Sequence, residues 1–274
     1  MQLTLSTWNV NSVRARIPRL IEYINEQKPD VLLLQEIKCL EDSFPYLELE
    51  SLGYNIAIKG QKSYNGVAIL SKFPLDEVIK ELPLYGLEKE DPAARYIEAL
   101  INVDGTVVRI ASVYVPNGGH INLEPNQKVN ETDYFLHKLR FYDRLKKRFE
   151  ESLRENEIAL FGGDYNTCPE IFDMYSEKKD GQVCCHIDER IKFKEFLAIK
   201  MTDAFRKLNP DLQKFSWWDY RTSGWKNGRG LRLDQILSTP EAMKKMSSCV
   251  THDQETRGKE RPSDHAPTCC VLEV

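Results

Sequence analysis

Residues 97–115 read IEALINVDGTVVRIASVYV, two apolar runs separated by Asp104-Gly105. An Asp-Gly pair between such runs marks a two-residue hairpin turn, whose positions need the left-handed backbone that these residues tolerate. The stretch therefore predicts two antiparallel neighbours, at 97–101 and 107–115. Outward from it, apolar or alternating runs predict further strands at 3–8, 31–34, 54–58, 66–70, 158–161, 231–237 and 268–272. Ile17, Leu20, Ile21 and Ile24 recur at helical spacing, with Pro18 suited to a first turn. The spans 134–153 and 189–198 carry two more amphipathic helix patterns. Helices interspersed among many strands, some sequentially antiparallel, predict a mixed α/β sandwich rather than a purely parallel doubly wound sheet.

The chain has 274 residues, 41% of them hydrophobic, enough for a sizeable core. It has no Pro/Ser/Gly-rich linker, low-complexity tract or fixed-period repeat, so a single domain over 1–274 is expected. The start, MQLTLSTWNV, lacks the features of a secretory signal, and no stretch has the roughly 18 apolar residues of a membrane span. A soluble, cytoplasmic protein is the expectation. Seven cysteines, including the neighbouring pairs Cys184-Cys185 and Cys269-Cys270, read as free thiols in a reducing compartment rather than a disulfide framework. Cys184-Cys185-His186 reads as ordinary loop residues rather than a zinc site, because adjacent cysteines lack the usual two-residue spacing.

A formal net charge of −4 gives no bulk support to nucleic-acid binding, since counterion replacement on phosphates needs a basic excess. Local patches differ from the bulk. RTSGWKNGRGLR (221–232) carries four basic residues and no acid beside Trp217, Trp218 and Trp225, and reads as a ligand-facing loop. KLRFYDRLKKR (138–148) has six basic residues against Asp143 alone, and reads as a solvated helix face.

Polar residues recur where predicted strands end. The run 3–8 leads into Asn9 and Asn11, 31–35 into Glu36, 107–113 into Tyr114 and Asn117, and 158–161 into Asp164 and Asn166. Asp234 lies within 231–237, and Asp264-His265 precedes the last strand. Singly, such an Asp is a turn or cap residue and such a His is structural. Together, strand ends on one rim can converge on one pocket. Carboxylates buried together would cost several kcal/mol without a cation. Oxygen ligands favour Mg²⁺, with Mn²⁺ as an alternative. Such a set suits phosphodiester hydrolysis, which requires charge neutralisation and water activation. Asp164 can take a proton from water; His265, held by Asp234, can donate to phosphate and should have a raised pKa. These residues alone leave either Asp164 or His265 as the base.

WNVNSVRAR (8–16), LLLQEIK (32–38), YNGVAILSK (64–72), SVYVPNG (112–118), FGGDYN (161–166), FSWWDYR (215–221), NGRGLRLDQIL (227–237) and PSDHAP (262–267) occur in an order that resembles the exonuclease III family of apurinic/apyrimidinic endonucleases, within the exonuclease/endonuclease/phosphatase superfamily. The likeness runs from about residue 1 to residue 272. It implies an α/β four-layer sandwich of two mixed β-sheets flanked by helices. It implies a magnesium-dependent DNA-repair nuclease that cuts 5′ to abasic sites in double-stranded DNA, trims 3′ ends and removes 3′ blocking groups, acting as a monomer. Glu36 resembles the principal metal ligand, supported by Asn9 and Asn11; Asp164 and Asn166 the pair that activates water and contacts phosphate. Tyr114 resembles the tyrosine at the phosphate or leaving group, and Asn117 a DNA-contacting amide. Asp234 resembles the carboxylate orienting the catalytic histidine, and Asp264-His265 the Asp-His pair before the last strand, so that Asn9, Asp264 and His265 join the expected metal set. One of Trp217 and Trp218 is expected in the core and the other lining the abasic pocket, with Arg232 as a candidate for a DNA phosphate.

Departures are visible. Asn11 stands where some members have Asp, as in the bacterial branch; Leu231 where some have Trp; His120 where some have Arg; Tyr165 where Phe or Met is common. Two alternatives share the core motifs: a phosphatase or lipid phosphodiesterase of the superfamily, and a non-catalytic DNA-binding protein on the same fold.

Overall fold

The computed structural model describes residues 1–84, 91–119, 134–175 and 183–274; His120 lies outside them. Among the described residues the strands are, in chain order, β1 Gln2–Asn9, β2 Val31–Gln35, β3 Asn55–Lys59, β4 Val67–Ser71, β5 Asp76–Ile79, β6 Tyr96–Val103, β7 Thr106–Tyr114, β8 Ile158–Asp164, β9 Thr202–Asp203, β10 Trp217–Trp218, β11 Gly230–Leu231, β12 Asp234–Ser238, β13 Met246–Thr251 and β14 Thr268–Glu273. They form two six-stranded sheets, ordered β13-β14-β1-β2-β4-β3 and β5-β6-β7-β8-β12-β9, and a ribbon β10-β11. The pairs β1/β2 and β7/β8 are parallel and the other pairs in both sheets antiparallel. Both sheets are thus mixed, as the hairpin at 104–105 implies. Asp104 and Gly105 take φ of 51° and 89°, and Val103 pairs with Thr106 across the turn.

The sheets pack face to face. Leu3, Leu5, Val31, Leu33, Val67 and Ile69 meet Ile97, Ile101, Val108, Ile110, Leu160 and Ile236 in one buried layer. Each such side chain contributes ~1.5–3 kcal/mol by leaving water. The helix Val13–Gln27 covers the outer face of the first sheet through Leu20, Tyr23 and Ile24. The helices Tyr134–Arg154 and Ile187–Ala198 cover the second through Tyr142, Phe149, Phe193 and Phe196. The result is the four-layer sandwich. Among the described residues no helix is long and apolar enough to cross a membrane.

Three sequence expectations are corrected. The first helix begins at Val13, so Pro18 sits inside it. The backbone N–H groups of Ser12 and Val13 donate to Glu36 O (2.7 Å) and Ile37 O (3.2 Å), which anchors the first turn on the following loop. The run 231–237 is split, because Arg232 and Leu233 leave the ribbon to reach the second sheet: Arg232 N donates to Asp173 O and Leu233 O accepts from Tyr165 N. The basic helix face at 138–148 is largely not solvated. Lys138, Arg144 and Arg148 are buried, with Lys138 Nζ 2.7 Å from Glu189 Oε1 and Arg148 paired with Glu98.

Candidate active site

Topology brings distant strand ends to one rim. Asn9 ends β1, Glu36 follows β2, Tyr114 ends β7, Asp164 ends β8, Asp234 begins β12 and His265 precedes β14. In the second sheet Asp164 lies opposite Tyr114 on one side and Asp234 on the other. Three of the turns that leave this rim put non-glycine residues in the left-handed region, Asn11 at φ 45°, Glu36 at 51° and Asn166 at 49°. Each such conformation costs ~1–2 kcal/mol, which local hydrogen bonding offsets.

The polar groups interlock. Asn9 Nδ2 donates to Glu36 Oε1 (2.9 Å) and Asp164 Oδ2 (3.0 Å), bridging the two carboxylates. Tyr114 OH donates to Glu36 Oε1 (2.9 Å), and Lys38 Nζ lies 2.6 Å from Glu36 Oε2. Asn166 N donates to Asp164 Oδ1 (2.9 Å), and Asn166 Nδ2 to Val115 O (2.8 Å). His265 Nδ1 is 2.8 Å from Asp234 Oδ2, and its Nε2 is 3.7 Å from Asp164 Oδ2. Candidate ligand atoms of Glu36, Asp164 and His265 all lie within 4.8 Å of one another.

Electrostatics separate the roles. Burial pushes the Asp164 carboxyl up to about 7; Asp234 and Glu36 add to the push and His265 opposes it. Burial acts to lower the His265 ring, but the Asp234 and Asp164 carboxylates outweigh it and raise its pKa to about 10. Burial likewise acts to raise Glu36, yet Lys38 and the Asn9 hydrogen bond hold it below the usual carboxylate range. Burial, then the Glu36 and Asp164 charges, raise the Tyr114 hydroxyl far above its usual value, so it stays a neutral donor.

Residues 6–265 match the Endonuclease/Exonuclease/phosphatase family. The chain belongs to that family. An exodeoxyribonuclease III of Haemophilus influenzae is 32% identical over 95% of this chain and 96% of its own length. Among solved structures, a 3′ phosphatase from Neisseria bound to a product DNA hairpin superposes with a TM-score of 0.88 at 32% identity, covering 99% of this chain and 100% of the other. An AP endonuclease from Archaeoglobus fulgidus superposes at 0.85, with 33% identity and the same coverage.

The pocket fits the divalent cation on which this endonuclease/exonuclease/phosphatase family's nucleases depend. Two carboxylates converge with a third behind them, and Asp164 is forced upward because no full positive charge lies against it except the His265 ring. The lone positive groups on Glu36 are the Lys38 ammonium and the Asn9 amide edge. Glu36 and Asp164 would hold the cation. His265, proton-bearing because of Asp234, faces the same space as a donor rather than a ligand, which corrects its expected place in the metal set.

Other expected site residues are used differently. Asp264 is engaged at both oxygens, by Asn11 Nδ2 (2.9 Å) and Trp217 Nε1 (3.1 Å), and is not part of the clustered ligand atoms. The Asn166 side chain faces Val115 O and Asp164 (3.4 Å), supporting the base's loop rather than offering an oxygen to the pocket; its Oδ1 accepts from Cys184 Sγ at 3.5 Å. Asn117 is exposed near the rim, its Oδ1 accepting from Gly119 N. Trp217 is half-buried, whereas Trp218 is in the core, edge-on to Trp225, which corrects its DNA-contacting assignment. Arg232 is corrected too: at 1% exposure it pairs with Asp173 (2.7 Å) and Asp203 (2.7 Å) and faces no ligand. Leu231 and Tyr165 are buried; Tyr165 OH donates to Phe161 O. All seven cysteines are free and buried, and His186 caps the helix Ile187–Ala198.

Two serines were missed in the sequence. Ser216 Oγ donates to Asp234 Oδ2 (2.6 Å) and accepts from Leu233 N and Asp234 N. Ser263 Oγ donates to Asn9 O (2.7 Å) and accepts from His265 N (3.2 Å). Their only signal is position inside FSWWDYR and PSDHAP.

Proposed function

We propose that this chain is a single-domain, monomeric, cytoplasmic phosphodiesterase that uses Mg²⁺, with Mn²⁺ as a substitute. Its substrate is double-stranded DNA, which it cuts 5′ to abasic sites, and it also trims and unblocks 3′ ends. The observation that carries the reading is the meeting of Glu36, Asp164 and the Asp234-held His265 in one buried pocket. The relatives named above, an exodeoxyribonuclease III and an AP endonuclease, support a hydrolytic nuclease acting on DNA.

When bound at Glu36 and Asp164, the divalent cation offsets charge on the phosphate and leaving oxygens and favours ionised Asp164. Asp164 then accepts a proton from the attacking water, its geometry fixed by Asn166 N and Asn9 Nδ2. His265 stays protonated near neutrality, and Nε2 donates to the phosphate as negative charge accumulates. Tyr114 is the neutral hydroxyl nearest Glu36 and donates at the same oxygen cluster. Asp234 remains the acceptor that keeps the ring aimed, itself held by Ser216.

A gel comparing intact, abasic and nicked duplexes with Mg²⁺, Mn²⁺ and EDTA tests this. Incision of the abasic strand with metal and its loss in EDTA are expected, with activity lower by ~10²–10⁴-fold in Asp164→Ala. Undiminished incision by that variant, or faster hydrolysis of phospholipid headgroups than of DNA, would overturn it.

A further inference from the structure

Among the described residues most buried arginines are neutralised. Arg109 pairs with Glu98 and Glu157, Arg148 with Glu98, and Arg232 with Asp173 and Asp203. Arg95 differs. Its Nε and Nη1 are buried yet have no hydrogen-bond partner, and no carboxylate forms an ion pair with it. Asp91, the carboxylate whose charge it influences, has Oδ1 taken by Ala93 N (3.0 Å) and Oδ2 facing His137 Nε2 at 3.4 Å. Leaving buried donors unmade costs ~1–3 kcal/mol each, so the arrangement calls for a ligand that is absent from the isolated chain.

The position of Arg95 says which ligand. Its guanidinium carbon stands 4.8 Å from the centroid of the Tyr114 ring, whose hydroxyl reaches Glu36 Oε1 at 2.9 Å. One tyrosine thus touches the pocket with its hydroxyl and carries the arginine on its face. The backbone there is fixed: Arg95 O accepts from Tyr114 N (2.8 Å) and Ala94 O from Gly66 N (2.8 Å). The carbonyls of Gly66 and Asn65 in turn accept from Ile37 N and Lys38 N, beside Glu36. Stacking on the ring pre-orients a planar fork of donors matched to phosphate oxygens. An anion that binds there while a phosphodiester occupies the pocket is the neighbouring phosphate of the same strand.

Resting on the DNA-cleaving reading above, we propose that Arg95 is a substrate-binding residue whose unpaired guanidinium, held on the Tyr114 ring, takes the DNA backbone phosphate adjoining the scissile one. Ordering by the tyrosine is done before the substrate arrives, so the contact adds affinity at little entropic cost. An unpaired cation also explains why a chain of net charge −4 can engage a polyanion at this rim.

The experiment measures binding of wild type, Arg95→Gln and Arg95→Lys to an abasic-analogue duplex in EDTA over a range of salt, then incision with Mg²⁺. Arg95→Gln is expected to weaken binding by roughly tenfold and to reduce the slope of log K against log salt by about 1. Its incision loss should fall mainly on KM, and its Tm should not drop, since no native partner is lost. Arg95→Lys should restore the slope and only part of the affinity, lacking the fork. An unchanged salt slope in Arg95→Gln overturns the proposal, as does a loss confined to kcat, which would make Arg95 a mere support for Tyr114. Because the slope is read without turnover, absence of incision by wild type would count against the nuclease reading alone.

Discussion

His265 Nδ1 lies 2.8 Å from Asp234 Oδ2, and both residues are buried. The folded protein therefore keeps the ring protonated up to about pH 10, whereas the unfolded chain does so only below about 6.5. A raised folded-state pKa adds stability that is complete below pH 6.5 and disappears as pH rises through 10. Asp234→Asn should cost roughly 2–4 kcal/mol at pH 6 in the metal-free protein and progressively less towards pH 10. Urea unfolding at several pH values measures the cost, and imidazole NMR reads the ring directly. A wild-type titration midpoint near 6.5 would show that the pair does not hold the proton.

Asp164 sets a second pH dependence, of opposite chemical consequence. In the metal-free protein its carboxyl binds a proton below about pH 7, in competition with a cation. Metal binding should therefore release protons near pH 6 and release few above pH 8, with affinity rising about tenfold between those values. Calorimetry with Mn²⁺ in buffers of different ionisation enthalpy measures the protons released. Glu36→Gln should weaken Mn²⁺ binding by ~10–100-fold. An affinity flat from pH 6 to pH 8 contradicts the assignment of Asp164 as a ligand.

The convergence of Asn9, Glu36, Tyr114, Asp164, Asp234 and His265 was legible because each stands at an end of a strand whose hydrophobic run is unmistakable, and strand ends of a mixed sandwich share rims. The hairpin at Asp104-Gly105 was legible because turn chemistry is local. What escaped was set by partners far along the chain. Arg232 looks like a phosphate-binding residue until Asp173, 59 residues away, folds against it. Lys138 looks solvated until Glu189, 51 residues away on another helix, meets it. The strand β13, MSSCVT, was missed because its serines mask the alternation that Met246, Cys249 and Thr251 provide only once buried. Arg95 carries no signal at all in DPAARY, since an absent partner leaves no trace in sequence.

Arg232 should accordingly behave as a structural cation. Arg232→Met strips the countercharge from Asp173 and Asp203 and should destabilise the protein by ~3–5 kcal/mol. Its folded fraction should bind DNA with the wild-type salt slope, in contrast to Arg95→Gln. A shallower slope in Arg232→Met, measured well below its Tm, would return Arg232 to the DNA-binding surface.

Lys138 offers the sharpest separation of stability from activity. Its ammonium, with no exposure, donates to Asn166 O (2.6 Å) and Asn117 O (3.4 Å) while pairing with Glu189, so one cation joins the loop after Asp164 to the loop after Tyr114. Lys138→Met leaves Glu189 buried and unpaired and should cost ~3–5 kcal/mol. Adding Glu189→Gln removes the stranded charge while keeping an acceptor for His186 N, and should recover most of that loss. It restores no donor to Asn166 O or Asn117 O. The double variant should therefore melt near the wild-type temperature yet incise abasic DNA more slowly, with the deficit in kcat because Asn166 N orients Asp164. Recovery of kcat together with Tm would mean that the pair acts only on folding and leaves the two loops correctly placed without it.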